Sequence, residues 1–284
     1  MSIITFVNNI EEETGKSMSL AAIATYMSIE HNVKILVVST TNKDDKLNSC
    51  FFEDGKQKKF MFGLFGENKE VFENESGIEG ISKIARSNKL TPEIITNYTK
   101  VVFKNRLEIL PGGKRKKVSD FEENEIEEEY INIISLANKY YDLVFVDLDN
   151  NINYEVKDRI INMSDLIIMN ISQNYKKLKK FKENKVNNDL LKLPKTLLLI
   201  GRYDKYSKYN YKNITRFLGE KNMVLTIPYN TLYFEAANEA GVPDLFLKLK
   251  RLSNSDDRNA IFIQEIKRAS ENIIYRLQEL QSNM

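Results

Sequence analysis

The chain has 284 residues, 42% of them hydrophobic and 29% charged, enough to bury a sizeable core as one large α/β domain or two small ones. Its 42 Lys and Arg against 40 Asp and Glu leave a net charge of +2, so no global field argues for nucleic acid. The single Cys50 excludes an intramolecular disulfide framework, the single His31 leaves no ligand set for a zinc cluster, and no apolar run approaches the roughly 18 residues of a membrane span.

The first element is also the most informative. Ser2 to Asn8 reads as a buried strand, a short loop follows over Asn9 to Thr14, then Gly15-Lys16-Ser17, then a helical run from Lys16 to Glu30. Further apolar strand-like runs are Lys34–Ser39, Leu107–Leu110, Leu143–Asp147, Leu166–Asn170, Thr196–Ile200 and Val224–Ile227. Helical patterns fall between them at 77–87, 91–98, 125–140, 154–162, 176–182 and 211–218. This alternation of Val/Ile/Leu-rich strands with helices predicts an α/β fold, a mainly parallel β-sheet covered by helices on both faces. The least regular stretch, residues 51–103, mixes aromatic and charged residues, as in Phe60-Met-Phe-Gly-Leu-Phe65, and reads as a helical excursion over one sheet edge. The tail 259–280 places Ile261, Ile263, Ile266, Ala269, Ile273, Ile274, Leu277 and Leu280 at amphipathic helix spacing. Core packing is the plainer reading of that helix and partner or membrane-surface binding the other. With no internal repeat or long linker, residues 1–284 read as a single domain. The start lacks a basic segment followed by a small-residue cleavage site, and the expectation is a soluble, cytoplasmic protein.

Strand, loop, Gly-Lys-Ser, helix is the layout of a P-loop, in which backbone N–H groups approach phosphates, the lysine neutralises β/γ-phosphate charge and the Ser/Thr hydroxyl reaches Mg²⁺. The first glycine of the pattern would fall at position 10, which is Ile10, so the signature is incomplete. Tyr141-Asp-Leu-Val-Phe-Val-Asp147 supplies the second element, an apolar strand ending in an acid that can assist the Mg²⁺ site.

In this order the motifs resemble the ParA/MinD class of P-loop ATPases, the deviant Walker A group. Glu11-Glu-Glu-Thr-Gly-Lys-Ser17 matches the family's K-G-G-x-G-K-[TS], followed by an Ala-rich helix, Ser19 to Thr25. Val33–Ser39 resembles the second strand, Leu107-Glu-Ile-Leu-Pro-Gly-Gly113 the "vLPag" segment, Tyr141–Asp147 the Walker B strand, Ser164–Met169 the strand after it, and Ile227-Pro-Tyr229 the "iPyd" turn near the base. The resemblance covers most of the chain. It implies nucleotide contacts from Thr14, Gly15, Lys16, Ser17, Met18, Asp147, Arg202 and Pro228, with Ser17 and Asp147 at Mg²⁺, ATP or ADP as ligand, and a homodimer.

The departures concern catalysis. Glu11 stands where the family's signature lysine reaches a partner's ATP, and Glu12 and Glu13 replace glycines. Ionised carboxylates near a triphosphate oppose it by on the order of 1–4 kcal/mol per contact at 4 Å. The family's D-x-D becomes Ser39 and Thr41, with Asp44 and Asp45 three to four residues late as candidate substitutes. Gly201 stands where the family often reads adenine with Asn, and Arg202 or Tyr203 either stacks on a purine or belongs to the loop before the next helix. Lys16 and Ser17 either hold a nucleotide or form a closed knot neutralised by Glu11–Glu13. The expectation is that the fold persists and hydrolysis is weak or absent.

Lys176, Lys177, Lys179, Lys180, Lys182 and Lys185 form a basic helix, either a solvated face or a DNA surface. Lys114-Arg-Lys-Lys117 is followed by an acidic run, Asp120 to Glu129, which suits a helix start better than a DNA surface. His31 is placed to meet the C-terminal dipole of the first helix, and Tyr203, Tyr206, Tyr209 and Tyr211 form either a sticky face or packing against a neighbouring helix. Together these features imply a degenerate ParA/MinD-like switch or scaffold that dimerises and recruits a protein partner, similar to TadZ/CpaE-type proteins that position pilus or secretion machinery. The alternative is an active DNA-partitioning ATPase.

Overall fold

The computed structural model describes residues 1–9, 14–41, 45–53, 77–86, 90–113, 120–252 and 257–282. The expectations about Ile10 to Glu13, Asp44, Phe60–Phe65 and Lys114–Lys117 lie outside these residues.

Eight strands form one sheet: β1 (Ser2–Asn8), β2 (Ile35–Ser39), β3 (Lys100–Phe103), β4 (Leu107–Leu110), β5 (Leu143–Asp147), β6 (Leu166–Ile171), β7 (Thr196–Tyr203) and β8 (Val224–Pro228). Their order is β3-β4-β2-β5-β1-β6-β7-β8, and every neighbouring pair is parallel except β3 with β4. The helices are α1 (Lys16–Glu30), α2 (Lys46–Ser49), α3 (Ile78–Arg86), α4 (Pro92–Ile95), α5 (Asp120–Ala137), α6 (Tyr154–Met163), α7 (Tyr175–Asn184), α8 (Tyr211–Leu218), α9 (Thr231–Asn238), α10 (Val242–Leu249) and α11 (Arg258–Ser282).

The pleat divides the strands' side chains between two cores. Ile4 and Phe6 of β1 face one core with Leu20 and Ile23 of α1, Phe246 of α10 and Phe262 of α11. Ile3 and Val7 face the other with Tyr130 of α5, Ile160 of α6, Phe181 of α7 and Ile214 of α8. Because β1, β2, β4, β5, β6 and β7 are buried on both faces, they read as continuous apolar runs. The tail takes its core-packing reading, with Phe262, Ile266, Ala269, Ile273 and Leu277 buried.

Three differences from the sequence expectation have physical reasons. The stretch 51–103 is not helical throughout: it ends in β3, whose partly exposed residues suit an antiparallel edge strand. Residues 91–98 supply a helix of only four residues, Pro92–Ile95. The helices α2, α9 and α10 were not anticipated. Asn230 caps α9 by accepting from Tyr233 N, and a link at Ala240-Gly241 separates it from α10, so each eight-residue helix is too short for clear periodicity. The helix expected from Glu125 begins at Asp120, as the acidic run suggested.

Parallel strands end at a common edge. That edge carries Asn8, Ser39, Asp147, Asn170 and the last residues of β7, so the loop after β1 sits at the centre of the sheet.

Candidate functional site

Gly15 is the N-cap of α1 and has φ +80, a left-handed conformation that favours glycine. It turns the chain so that the first N–H groups of α1 face the loop. No acid occupies the first turn, and among the described residues no side chain caps the helix, so its positive end suits an anion. Thr14 anchors the incoming chain, its hydroxyl donating to Asn8 Oδ1.

Lys16 does not point to solvent. Its Nζ lies 2.8 Å from Asp147 Oδ1, with side-chain exposures of 8% and 6%, and also donates to the Leu148 carbonyl. Among the described residues its carboxylate partner is Asp147, brought within reach because β5 lies beside β1; neutralisation by Glu11–Glu13 lies outside those residues. The P-loop lysine and the strand-end acid, 131 residues apart in sequence, meet as an ion pair. Ser17 follows in the first turn of α1, half-buried.

Ser39 is the Cα partner of Asp147 across the β2–β5 register and is fully buried, so the D-x-D position offers a hydroxyl and no carboxylate there. Asp45 is close to this edge but has another occupation. Its Oδ1 accepts from Asn48 N at 3.0 Å, capping α2, and its Oδ2 accepts from Gly112 N at 3.2 Å. Burial raises the Asp45 pKa above 3.8, the backbone N–H groups oppose that, and Asp147 adds to it. A carboxyl already held by two backbone N–H groups is a poor substitute for a water-positioning acid. Gly112, in the Pro-Gly-Gly segment, is required by proximity: a Cβ there would lie 2.0 Å from the Thr41 carbonyl.

Gly201 has a comparable reason. A Cβ at that position would lie 2.4 Å from the carbonyl of Thr14, so β7 presses its backbone against the phosphate loop. The next residue, Arg202, takes φ 52 where the β7–β8 register shifts, and its stem lies over Gly15. Arg202 and Tyr203 therefore end a strand, which corrects their reading as loop residues. Arg202, Gly15, Met18, Pro228, Tyr229 and Phe234 line a crevice of ≈ 290 Å³, counting space open to solvent. Tyr233 closes its base, its hydroxyl donating to the Met18 carbonyl. The crevice adjoins Gly15 at the start of α1. The exposed Arg202 and Tyr229 give it one cation and one ring.

Two residues at this edge carried no signal in the sequence. Thr40 joins β2 to the loop after β5: its N–H donates to the Asp147 carbonyl at 3.2 Å, and its hydroxyl accepts from Asp149 N at 2.8 Å. Asn170 is wholly buried beside Asn8, and among the described residues its side-chain amide has no hydrogen-bond partner. Their placement depends on strand register.

These residues fit a nucleotide with Mg²⁺. An open helix N-terminus and a lysine suit phosphates, while a hydroxyl and a buried carboxylate, Ser17 and Asp147, suit one hard cation. Among the described residues no cluster of three or more His, Cys, Asp or Glu side chains could hold a metal alone, so phosphate oxygens and water would complete the shell. Two other expectations are met more simply. The lysines of α7 and of its C-cap are partly engaged, Lys185 with Glu220 at 2.8 Å and Lys182 over the Phe217 ring, and Tyr209 stacks on Tyr175. No helix among the described residues is long and apolar enough to cross a membrane.

No family model and no curated protein matches the sequence. Solved structures do match in shape. A ParA family ATPase from Chlorobium tepidum TLS superposes with a TM-score of 0.66 at 15% identity, covering 97% of this chain and 98% of that one. The cell division ATPase MinD of Pyrococcus furiosus gives 0.63 at 13% identity, covering 96% and 100%. A plasmid partition protein of Borrelia burgdorferi B31, bound to AMPPNP, gives 0.58 at 18% identity, covering 98% of each. With its sheet order, its central phosphate loop and these likenesses over nearly its whole length, the chain has the fold of the ParA/MinD class of P-loop ATPases.

Proposed function

We propose that residues 1–284 act as one domain, a nucleotide-binding switch or scaffold of the ParA/MinD type. It dimerises on ATP or ADP with Mg²⁺, recruits or positions a protein partner, and hydrolyses ATP weakly or not at all. The observation that carries this reading is the Lys16–Asp147 ion pair at the open end of α1. Both groups a nucleotide needs are present and adjacent, and they neutralise each other. Phosphates would take Lys16 from Asp147, and the released carboxylate would join Ser17 at Mg²⁺. Weak hydrolysis follows from Ser39 at the D-x-D position and from the capping role of Asp45.

Pilus or secretion assembly, as in TadZ/CpaE-type proteins, rests on the resemblance of the altered loop. A second reading, DNA partitioning by an active ATPase, is favoured by the exposed lysines of α7, Lys176, Lys179 and Lys180. Calorimetry with ATP and ADP, with and without Mg²⁺ and beside Lys16→Ala, tests the proposal. Micromolar binding that the variant loses supports a switch. No binding at millimolar nucleotide defeats it, and rapid Mg²⁺-dependent turnover favours the second reading.

A further inference from the structure

The strands β6 and β7 are parallel neighbours, so α7, which follows β6, and the loop 204–210, which follows β7, leave the sheet at the same edge. Gln173 ties the two together. Its side-chain amide donates to the carbonyls of Asp204 and Tyr209, each at 2.8 Å, and its Oε1 accepts from Asp204 N at 2.8 Å. Tyr175, at the start of α7, stacks on Tyr209 with ring centroids 5.3 Å apart and planes 11° apart. The Tyr203 hydroxyl accepts from Tyr211 N at 2.9 Å, and Asp204 Oδ1 accepts from Tyr206 N at 2.9 Å, a local turn that sets the backbone of Tyr206. The loop is thus fixed from within, yet the Tyr206 side chain packs on almost nothing and is 86% exposed. Tyr175 and Tyr211 are also exposed.

Cations alternate with these rings. In Lys205-Tyr206 and Lys208-Tyr209 each ammonium lies 5.1 Å from the centroid of the following ring. The helix α7 and its C-cap carry six lysines against Glu183. Residues 204–216 carry Lys205, Lys208, Lys212 and Arg216 against Asp204, in a chain whose net charge is only +2. Lys182 and Lys185 have the inner partners described above. Among the described residues Lys176, Lys180, Lys205, Lys208 and Lys212 are exposed and have no ion-pair partner.

A rigid surface of interleaved lysines and tyrosine rings matches a polymer in which charges and flat rings also alternate. Phosphates suit the lysines, and unpaired bases suit the faces of the rings. A duplex hides its base faces and would use the lysines alone, and an acidic peptide brings charge without flat rings. We propose that α7 and the loop 204–212 form a binding surface for single-stranded nucleic acid, with Tyr206 stacking on a base and Lys205 and Lys208 at the flanking phosphates. This surface does not depend on a nucleotide at the phosphate loop, so the inference stands apart from that reading. It also differs from the duplex surface of a DNA-partitioning ATPase.

The test is fluorescence anisotropy of the full chain at low salt, without nucleotide. The labelled probes are oligothymidylate, oligouridylate and a duplex, each longer than a site of about 16 nucleotides, with polyglutamate as an unlabelled competitor. Tyr206→Ala should weaken binding to the single strands by about fivefold to a hundredfold, whereas Tyr206→Phe, which keeps the ring, should stay within about twofold of the wild type. The double variant Lys205→Gln, Lys208→Gln should lower the slope of log affinity against log salt by about 1.4, the share of two phosphates. All three side chains are exposed, so these variants keep the fold, which circular dichroism checks. A preference for one of the two single strands supports the proposal and identifies the sugar. If the duplex binds as well as the single strands and Tyr206→Ala changes nothing, the proposal is overturned and the corner is a plain cationic surface. Displacement of the strand by polyglutamate as readily as by unlabelled strand overturns it too, as does the absence of binding at about 0.1 mM protein.

Discussion

Replacing Lys16 with Met keeps the length of the side chain and removes its charge. Asp147 would then be a carboxylate 5% exposed with its ion-pair partner gone. Breaking a buried pair from one side costs about 3–5 kcal/mol, because the remaining charge is uncompensated. Asp147→Asn is milder, since Lys16 keeps the Leu148 carbonyl and gains an amide oxygen in place of the carboxylate. The double variant removes both charges and should recover part of the loss, giving a coupling energy of about 1–3 kcal/mol. Urea unfolding of the four proteins measures the cycle, and thermal scans should follow at about 2–4 °C per kcal/mol for a chain of this size. A coupling below about 0.5 kcal/mol would refute the reasoning, because residues that do not interact add within that limit. The same cycle bears on binding. Asp147→Asn should raise affinity for nucleotide without Mg²⁺, since Lys16 is released more easily, and lower the gain that Mg²⁺ brings.

Gly201→Ala would press a methyl onto the Thr14 carbonyl; overpacking of this kind costs about 1–3 kcal/mol, and the displaced loop should bind nucleotide more weakly, both readable by unfolding and calorimetry. Asp45→Asn keeps an N-cap and removes a carboxyl whose folded pKa is raised above 3.8. The wild-type carboxyl favours the fold most below its unfolded pKa, and that contribution is lost as pH rises through the raised value. The variant's stability relative to wild type should therefore grow from pH 4 to pH 7; a difference that is flat or falls would count against it. Tyr233→Phe deletes the hydrogen bond to the Met18 carbonyl beneath the crevice and should cost about 1 kcal/mol in urea unfolding, with unchanged secondary structure by circular dichroism.

Much of the fold was legible because most strands are covered on both faces, so Ile35–Ser39 and Leu143–Asp147 stand out as unbroken apolar runs. The edge strand β3 was not, because Lys100–Phe103 alternates only weakly and its pairing is antiparallel. At the site, Gly15-Lys16-Ser17 and Asp147 could be read because a strand, a loop and a helix lie consecutively around them. Gly201 read as a lost base contact, yet its lack of a Cβ answers to the Thr14 carbonyl, a backbone contact that no local pattern announces.

The strand before Gly15-Lys16-Ser17 is completed only by segments made much later in the chain. β1 is held on one side by β5 and on the other by β6, and the Ile3 amide is bonded to Asp165, 162 residues further along the chain. At a synthesis rate of roughly 5–20 residues per second, this segment waits about 8–30 s on the ribosome before its second neighbour exists. For most of that interval Ile3, Ile4, Phe6 and Val7 have no neighbouring strand to join, and the nascent chain offers chaperones an apolar segment.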